Sequence, residues 1–351
     1  MQVAKAAGAI LALSLTAAPA FAQAGPIGVA APLSGQSELL GRQLVGGAQA
    51  AAADAVLDIA DDHCTAEGGA AAARRFVEKQ VRIVVGFLCT ESIEAALPIL
   101  KDAGIPVITP GVRTNSLTDR REKTGWLVYR LAPRADAEEQ AISSLLVTLW
   151  RDSLFAVVDD GTIYGRDLAE NFRAAAERRR LKPVFVDTFR PQMENQIGLA
   201  GRLRRAGAAN VFVGGDRDDI AVMTRDAAGL GASIVFAGGE TLRSASNGVP
   251  LAAGTLMVGL PEWAEIADRS SLDALAARNI LPQGYVLPAY AAMQVAQAAV
   301  GEWQDGESKA LEGPYATALG EVRFDAKGDL QGNPYRLFRY DGARFVPLES
   351  Q

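Results

Sequence analysis

Two cysteines and one histidine are the side chains of this 351-residue chain that are best suited to metal or nucleophilic chemistry. His63 and Cys64 are neighbours, and Cys89 follows at the end of an apolar segment. This spacing fits no zinc pattern, and a fourth ligand is missing. An even number of cysteines in an exported chain favours a disulfide instead. We therefore expect a disulfide between Cys64 and Cys89, and neither a metal site nor a cofactor.

An enzyme that uses Cys89 as a nucleophile is the alternative. The segment VGFLCTES, residues 85–92, has the pattern of a strand that turns into a helix and presents a reactive side chain. However, the chain has a single histidine to act as a base, and a disulfide would consume the thiol. The G-x-S-x-G motif of hydrolases and the glycine-rich phosphate loop are both absent from the sequence. We therefore expect no enzymatic activity.

The first 22 residues have the pattern of a secretory signal peptide. Lys5 supplies the positive charge, an apolar run rich in alanine and leucine follows, and Ala20-Phe21-Ala22 is a cleavage motif. The apolar run is too short and too rich in alanine for a stable membrane span. We therefore expect cleavage near Ala22 and a mature protein in an oxidising compartment, most simply the periplasm of a bacterium.

The charge balance argues against nucleic acid as a partner. The chain carries a formal net charge of −6 and has a pI near 5.1. Its basic residues cluster only in the arginine triplet at 178–180, which is more consistent with the end of a solvated helix than with a phosphate site. Domains that bind nucleic acid instead carry a basic face.

Short apolar runs alternate with helical patterns from Pro26 onward, which is typical of a parallel α/β sheet. The segment 81–86 is the clearest strand, because its β-branched residues suit burial on both faces. The alternation starts again after Pro133, which predicts an α/β fold with two similar Rossmann-like lobes and parallel sheets. The polar segment 113–125 predicts an irregular loop over the end of the first sheet.

Glycines, hydroxyl groups and acids follow the predicted strands in both halves of the chain. The residues at these ends include Ser34, Thr90, Gly111, Asp160, Asp216 and Glu240. Ligands of open parallel sheets bind at the carboxyl ends of the strands, where helix N-termini also favour anions. Each of these residues could instead belong to an ordinary turn, and Thr90 or Ser92 could simply cap a helix. Their recurrence in both halves favours a shared ligand site.

The chain resembles bacterial periplasmic binding proteins of the leucine/isoleucine/valine type over essentially its whole mature length. The matching segments, in order, are PLSG (32–35), DDHC (61–64), VGFLCTES (85–92), ITPGVRT (108–114), the Tyr-Gly pair at 164–165, GGE (238–240) and YVLPAYAAMQ (285–294). The resemblance implies two α/β lobes joined by three hinge crossovers. It also implies a ligand bound between the lobes, a monomeric protein and delivery of the ligand to an ABC-type permease of the inner membrane.

We expect the three crossovers at Pro133, at Pro261 and at the turn 331–334. Hinge motion at such positions lets two lobes close on a ligand. The predicted boundaries are a signal peptide at 1–22, lobe 1 at 23–131 plus 261–331, and lobe 2 at 132–260 plus 332–351.

The resemblance also implies a role for individual residues. Thr90 and the backbone amides at Gly111 match positions that hold the carboxylate of an amino acid. Glu240 matches the acid that accepts the ammonium group of the ligand. Tyr164 matches the tyrosine of the Tyr-Gly pair, and Tyr285 matches an aromatic residue that lines the side-chain pocket.

Three positions depart from the pattern of the branched-chain binders. Arg113 stands where a threonine is expected, although a shift of one residue would put Thr114 there. Asp216 stands where a tyrosine is expected, and Leu40 replaces another pocket tyrosine. A cation and an anion in the pocket argue against a purely aliphatic ligand. Arg113 and Asp216 therefore either contact a charged ligand or pair with each other across the cleft, because buried charges need partners.

The sequence as a whole predicts a periplasmic solute-binding component of an ABC importer. We expect its ligand to be a small amino acid or a related carboxylate, with a polar or acidic amino acid favoured by the charges of Arg113 and Asp216. A ligand-sensing module that serves a membrane receptor is the alternative that this pattern leaves open.

Overall fold

The computed structural model describes residues 25–52, 55–246, 248–303 and 310–348. The predicted signal peptide at 1–22 lies outside the described residues. The described strands form a sheet of five strands, a sheet of seven strands and a two-stranded hairpin. None of the helices in this part of the chain has the length and apolar content that a membrane span requires.

The first sheet is parallel throughout and has the order β2-β1-β3-β4-β5. Its strands are β1 (Ile27–Ala31), β2 (Leu57–Asp61), β3 (Ile83–Gly86), β4 (Val107–Thr109) and β5 (Val128–Arg130). The helices between them are α1 (Glu38–Ala51), α2 (Ala66–Glu78), α3 (Thr90–Asp102), α4 (Ser116–Asp119) and α5 (Arg121–Thr124). The strands β1 and β3 are buried along their whole length, as expected for strands that helices cover on both faces.

The second sheet repeats this arrangement. Its parallel strands are β6 (Phe155–Asp159), β7 (Phe185–Thr188), β8 (Asn210–Gly214), β9 (Val235–Gly238) and β10 (Leu256–Gly259). Its helices are α6 (Ala137–Leu149), α7 (Ile163–Arg178), α8 (Ile197–Arg205) and α9 (Arg217–Gly229). The order β7-β6-β8-β9-β10 is the order of the first sheet when the strands of each lobe are counted from its own beginning.

The chain returns to the first lobe after β10. It forms α10 (Trp263–Ile266), α11 (Arg269–Ala277), α12 (Val286–Glu302) and a hairpin of β11 (Tyr315–Thr317) and β12 (Gly320–Val322). Helix α12 packs against α1, and its residues Met293 and Val295 share one buried cluster with Val29 and Ile83. The first lobe therefore needs this late segment to complete its core.

Two final strands, β13 (Arg336–Tyr340) and β14 (Phe345–Pro347), extend the second sheet in antiparallel fashion. The chain thus passes between the two sheets after β5, after β10 and before β13. The predicted α/β fold with two similar lobes and three crossovers is confirmed. The residue boundaries given above for the lobes stay a prediction.

The segment 113–125 is not the irregular loop that its polar composition predicts. It contains the short helices α4 and α5, and Leu117 is completely buried in the core of the first lobe. Arg121 donates a hydrogen bond of 2.8 Å to the carbonyl of Val128, and Gly125 ends α5 in the left-handed conformation with φ of 65°. Tertiary contacts therefore impose helical turns on a segment whose local composition favours a loop.

The predicted disulfide between Cys64 and Cys89 is present, with its Cα atoms 5.3 Å apart. It joins the end of β2 to the residue that precedes α3. The hydroxyl of Ser92 reinforces this connection by donating a hydrogen bond of 2.8 Å to the buried carboxylate of Asp62. The disulfide and the hydrogen bond together fix the start of α3 against the neighbouring strand end.

A buried ion pair joins β5 to the segment that leads into the third crossover. The side chain of Arg130 is completely buried, and its Nε donates to Asp329 Oδ1 at 2.8 Å. Thr118 Oγ1 and Arg134 Nη1 donate to the other carboxylate oxygen of Asp329 at 3.0 and 2.9 Å. Arg130 Nη1 also donates to the backbone carbonyl of Thr114, so the ion pair fixes the loop that follows β4.

Loss of the disulfide should lower the stability of the protein. The oxidised, denatured protein should have no titratable thiol, and reduction should expose its two cysteines. The double variant Cys64→Ala/Cys89→Ala should lose about 3 kcal/mol of unfolding free energy, because the unfolded chain is no longer constrained by a closed loop. Denaturant unfolding of both proteins measures this difference, and equal stabilities would contradict it.

Removal of Asp329 should be far more costly than removal of an exposed partner. The variant Asp329→Ala should lose about 3–5 kcal/mol of unfolding free energy, because it leaves the guanidinium of Arg130 buried without a counter-charge. The matched control is Asp152→Ala, whose ion pair with Arg151 is exposed on the surface. Urea unfolding should show no measurable change in stability for the control. Similar losses for both variants would contradict the role of Asp329 as the counter-charge of Arg130.

Candidate functional site

The first lobe contributes its predicted ligand residues from one edge of the sheet. Thr90 is the first residue of α3, and Gly111 and Arg113 follow β4. Tyr285 occupies the N-cap position of α12. An added methyl group at Gly111 would lie 3.2 Å from the ring of Tyr285, so these two residues are neighbours.

The second lobe contributes residues from the corresponding edge of its own sheet. Tyr164 lies in the first turn of α7, after β6. Asp216 is the N-cap residue of α9, after β8. Glu240 begins a short 3-10 helix, Glu240–Arg243, after β9. The strand order explains the arrangement, because ligand sites of such sheets lie where the order reverses, here beside β1 and β3 and beside β6 and β8.

Arg113 reaches from the first lobe to two residues of the second lobe. Its Nη2 donates a hydrogen bond to the hydroxyl of Tyr335, and its Nη1 lies 3.8 Å from Glu240 Oε2. The hydroxyl of Tyr335 in turn donates to Glu240 Oε2 at 3.0 Å. Burial raises the pKa of Tyr335, and the charge of Glu240 raises it further, so the hydroxyl remains a donor. These contacts pair a cation of one lobe with an anion of the other.

Glu138, the second residue of α6, is a second acid at the same place. It is 7% exposed, and its Oε1 accepts hydrogen bonds from the hydroxyl of Tyr164 at 2.9 Å and from the backbone N–H of Glu240 at 2.7 Å. Burial raises the pKa of Glu138 against the opposing effect of these hydrogen bonds. The pKa of Tyr164 is also raised, by burial of its hydroxyl end and by the nearby Glu138 carboxylate.

Because Gly239 has no side chain, the carboxylate of Glu138 can approach the backbone of Glu240. A methyl group on Gly239 would overlap the carboxylate of Glu138 and would lie 2.8 Å from the hydroxyl of Tyr164. No side chain can occupy this position while both hydrogen bonds are kept. The Gly-Gly-Glu sequence at 238–240 is therefore a packing requirement of the site as well as a turn.

A cavity of about 400 Å³ adjoins the polar groups on the side of the crossovers. Gly111, Arg113 and Tyr285 lie in its wall, together with the charged residues Glu321 and Arg336, and the rest of the wall is mainly apolar. The apolar part of the lining includes Leu131, Leu260, Trp263, Ile266, Pro288, Leu319, Val322 and Leu330. Residues of all three crossovers line the cavity, so its shape depends on how the lobes are placed relative to each other. Its volume is in the range of pockets for small organic ligands.

The N-terminus of α3 is not capped by a side chain. Its N-cap residue is Cys89, which makes no side-chain hydrogen bond to the first turn. Ser92 is bonded to Asp62 instead, so neither Thr90 nor Ser92 acts as the simple cap that the sequence offered as an alternative. The amide of Gly111 donates to Thr109 Oγ1 at 3.3 Å, which holds the turn after β4 in shape.

A sequence profile described as periplasmic binding protein matches residues 26–344. The chain belongs to this family. The Leu/Ile/Val-binding protein homolog 3 of Brucella melitensis is 28% identical to it over 345 residues, which cover 92% of this chain and 93% of the relative. A protein of Pseudomonas aeruginosa named amino acid binding protein is 28% identical over 338 residues, which cover 90% of either chain.

Solved structures with the same fold include two ligand complexes. A substrate-binding protein of an ABC transporter from Desulfitobacterium hafniense, in complex with leucine, has a TM-score of 0.64 at 20% identity and covers 92% of this chain and 99% of its own. A solute-binding protein from Rhodopseudomonas palustris, in complex with p-hydroxybenzoic acid, has a TM-score of 0.60 at 17% identity and covers 93% and 96%. At such identities these likenesses concern the fold.

Membership in the periplasmic binding protein family removes the enzyme alternative. The family and the relatives bind solutes and are not enzymes. The disulfide agrees with this conclusion, because both cysteines are engaged in it. The solute-binding role of the chain is therefore established at the level of the family.

The hypothesis that Arg113 pairs with Asp216 is wrong. Arg113 contacts Tyr335 and Glu240, whereas Asp216 is exposed at the start of α9 and forms no ion pair with Arg113 among the described residues. Leu40, the third departure from the pattern, is 39% exposed on α1. The charge of Arg113 is thus balanced by an acid that the resemblance assigned to the ligand.

Two residues of the site, Glu138 and Tyr335, were not predicted from the sequence of this binding protein. Both residues follow crossovers closely: Glu138 lies shortly after Pro133, and Tyr335 comes directly after Pro334. Segments next to a hinge run along the cleft. An acid or an aromatic residue close to a predicted crossover was therefore the sequence feature that could have indicated these two site residues. The roles of the seven predicted ligand residues stay a prediction.

A methyl group at position 239 should disrupt the site of this binding protein. The variant Gly239→Ala should lose about 1–3 kcal/mol of unfolding free energy, because its side chain displaces the Glu138 carboxylate from its two hydrogen bonds. Gly229→Ala is the matched control, since an added methyl group there meets open space at the end of α9. Denaturant unfolding should show no loss for the control, and equal effects in both variants would contradict the packing described.

Proposed function

We propose that this protein binds a small amino acid or a related carboxylate between its lobes and delivers it to an ABC-type permease of the inner membrane. The contact among Arg113, Tyr335 and Glu240 is the observation that carries the proposal. It brings a cation and an anion from opposite lobes to one place in the cleft. A zwitterionic ligand carries the same two charges, so it can exchange these internal contacts for its own.

The carboxylate of the ligand is proposed to bind on the first lobe. The first turn of α3 has no side-chain cap, so its N–H groups and the hydroxyl of Thr90 can donate to an anion. The turn at Gly111 lies at the same edge of the sheet. Its amide donates a long hydrogen bond of 3.3 Å to Thr109 Oγ1 and would have to exchange this bond for one to the ligand. Arg113 supplies a full positive charge beside these donors, and hydrogen bonds to a charged partner are the stronger kind.

The ammonium group is proposed to bind on the second lobe, at Glu240. A charge-assisted hydrogen bond to a fixed acid offsets the cost of removing an ammonium group from water. Glu240 is held at its backbone by Glu138 and at its carboxylate by Tyr335. The acid is therefore oriented before a ligand arrives. Tyr164 closes this part of the site from α7.

The cavity, whose wall is mainly apolar apart from Arg113, Glu321 and Arg336, supports an apolar side chain of the ligand. Asp216 does not line the cavity, and Arg113 is already balanced by Glu240. The charges of Arg113 and Asp216 therefore give little support to a polar or acidic ligand. We propose that the body of the ligand lies against Tyr285 in the cavity, where burial of apolar surface favours binding.

The relatives and structural neighbours support the same class of ligand. The relatives bear the names Leu/Ile/Val-binding protein and amino acid binding protein. The neighbours were solved with leucine and with p-hydroxybenzoic acid, which share a carboxylate. We further propose that the protein acts as a monomer in the periplasm after cleavage near Ala22, in keeping with the signal-like pattern at 1–22.

A set of titrations tests which group of the ligand each residue recognises. Leucine, glutamate, γ-aminobutyrate and 4-hydroxybenzoate are titrated by calorimetry into the wild type, Glu240→Ala and Arg113→Ala. Glu240→Ala should weaken leucine about 10–100-fold, because hydrogen bonds to charged groups contribute about 1.5–3 kcal/mol. It should not weaken 4-hydroxybenzoate, since this ligand has no amine and no longer has to displace Glu240 from Arg113. Arg113→Ala should weaken every carboxylate that binds.

The matched control is Glu170→Ala, which removes an exposed acid of α7 and should alter no affinity. If the wild type binds none of the four compounds, the proposed ligand class is refuted. Unaltered leucine affinity in Glu240→Ala would mean that the ligand has no amine at this acid. Tighter binding of glutamate than of leucine would favour the polar side chain over the apolar one.

A further inference from the structure

Glu138 is a buried acid of the cleft with no part in the ligand contacts proposed above. It is 7% exposed at the start of α6. A buried carboxylate is costly unless hydrogen bonds compensate for the water that it has lost. Both of its described hydrogen bonds, from the Tyr164 hydroxyl and from the Glu240 amide, end on the same oxygen, Oε1. One atom of Glu138 therefore holds two predicted ligand residues at once.

The two residues belong to elements that are far apart in the chain. Tyr164 comes from α7, and Glu240 comes from the turn after β9. Asn333 Nδ2 donates to the carbonyl of Ala137 at 2.6 Å, so the start of α6 is itself fixed to the third crossover. Glu138 thus connects the ligand-facing ends of two elements to the hinge region.

The orientation of the Glu240 side chain depends on this connection. Its backbone N–H points at Glu138, while its carboxylate is directed toward Tyr335 and Arg113. Without the acceptor on Glu138, the amide of Glu240 and the hydroxyl of Tyr164 would both lose a partner. The acid proposed to accept an ammonium group would then have one anchor instead of two.

We propose that Glu138 is a positioning residue, which acts through Tyr164 and Glu240 to favour ligands that carry an amine. This inference rests on the proposed function, because it concerns the ammonium side of the same site. The role needs the acceptor oxygen of Glu138 at its present place, and a neutral amide can supply that oxygen.

Paired ligands separate positioning of the ammonium site from a general loss of structure. Leucine and 4-methylpentanoate, which has the same carbon skeleton without the amine, are titrated into the wild type, Glu138→Ala and Glu138→Gln. Glu138→Ala should weaken leucine about tenfold or more, as expected for a lost anchor of a charged contact, and leave 4-methylpentanoate unchanged. Glu138→Gln should keep most of the leucine affinity. Equal weakening of both ligands, or an equal loss in the two variants, would overturn the proposal.

A second measurement needs no ligand. The melting temperatures of Glu138→Ala, Tyr164→Phe and their double variant form a cycle, in which the double variant should lose less than the sum of the single losses. The control cycle uses Glu139→Ala, because Glu139 is the next residue of α6 but is bonded to Asn171. Its effect should add to that of Tyr164→Phe.

The two measurements fail in different ways. Additive losses in the Glu138 cycle would refute the connection to Tyr164 whatever the ligand is. If the Glu138 cycle is non-additive but the wild type binds neither leucine nor 4-methylpentanoate, the connection to Tyr164 stands and the apolar ligand of the proposed function is refuted. Binding of 4-methylpentanoate but not of leucine would refute selection for an amine.

Discussion

The buried charge of Arg130 is the constraint on which the cleft depends. A guanidinium with no access to water needs a counter-charge, and Asp329 supplies it from the segment before the third crossover. The pair fixes the last strand of the first sheet to a part of the chain almost two hundred residues away. The same guanidinium holds the carbonyl of Thr114, so the neighbouring Arg113 leaves the loop in a defined direction. Neutralisation of one buried charge thereby places another at the cleft.

In the cleft, the charges of protein residues neutralise each other. Arg113 and Glu240 come from different lobes and share the hydroxyl of Tyr335. A ligand gains affinity only by the difference between its own contacts and the internal contacts that it replaces. The surface area that the ligand buries does not reveal the cost of this replacement. Selectivity in such a site follows from the ability of a ligand to satisfy both charges at once. Compounds with a single charge leave one of the two residues without its partner.

Much of the fold was predictable, because local patterns encode it. The alternation of buried strands and helices predicted parallel sheets, and its repetition predicted two similar lobes. The strand order that the two sheets share was known only from the structure. The segment 113–125 was not predictable, because burial of Leu117 and not local composition determines its helical turns. In the site, the strand-end positions of Thr90, Gly111 and Glu240 were readable from the sequence. The partners of these residues were not.

The sequence by itself determined the elements, the cysteine pair and the polar residues at the ends of strands, since each depends on neighbours in the chain or on residue type. The tertiary structure alone decided the partner of Arg113 and the presence of Glu138 and Tyr335 in the site. The contacts concerned join residues 95, 102 and 222 positions apart. Contacts between residues so far apart in the chain leave no periodic pattern in the local sequence. The contacts of Glu240 with Tyr335 and Glu138 arise when distant segments of the second lobe pack together. The contact of Arg113 with Tyr335 arises only when the two lobes meet at their carboxyl edges, where buried polar groups must find partners.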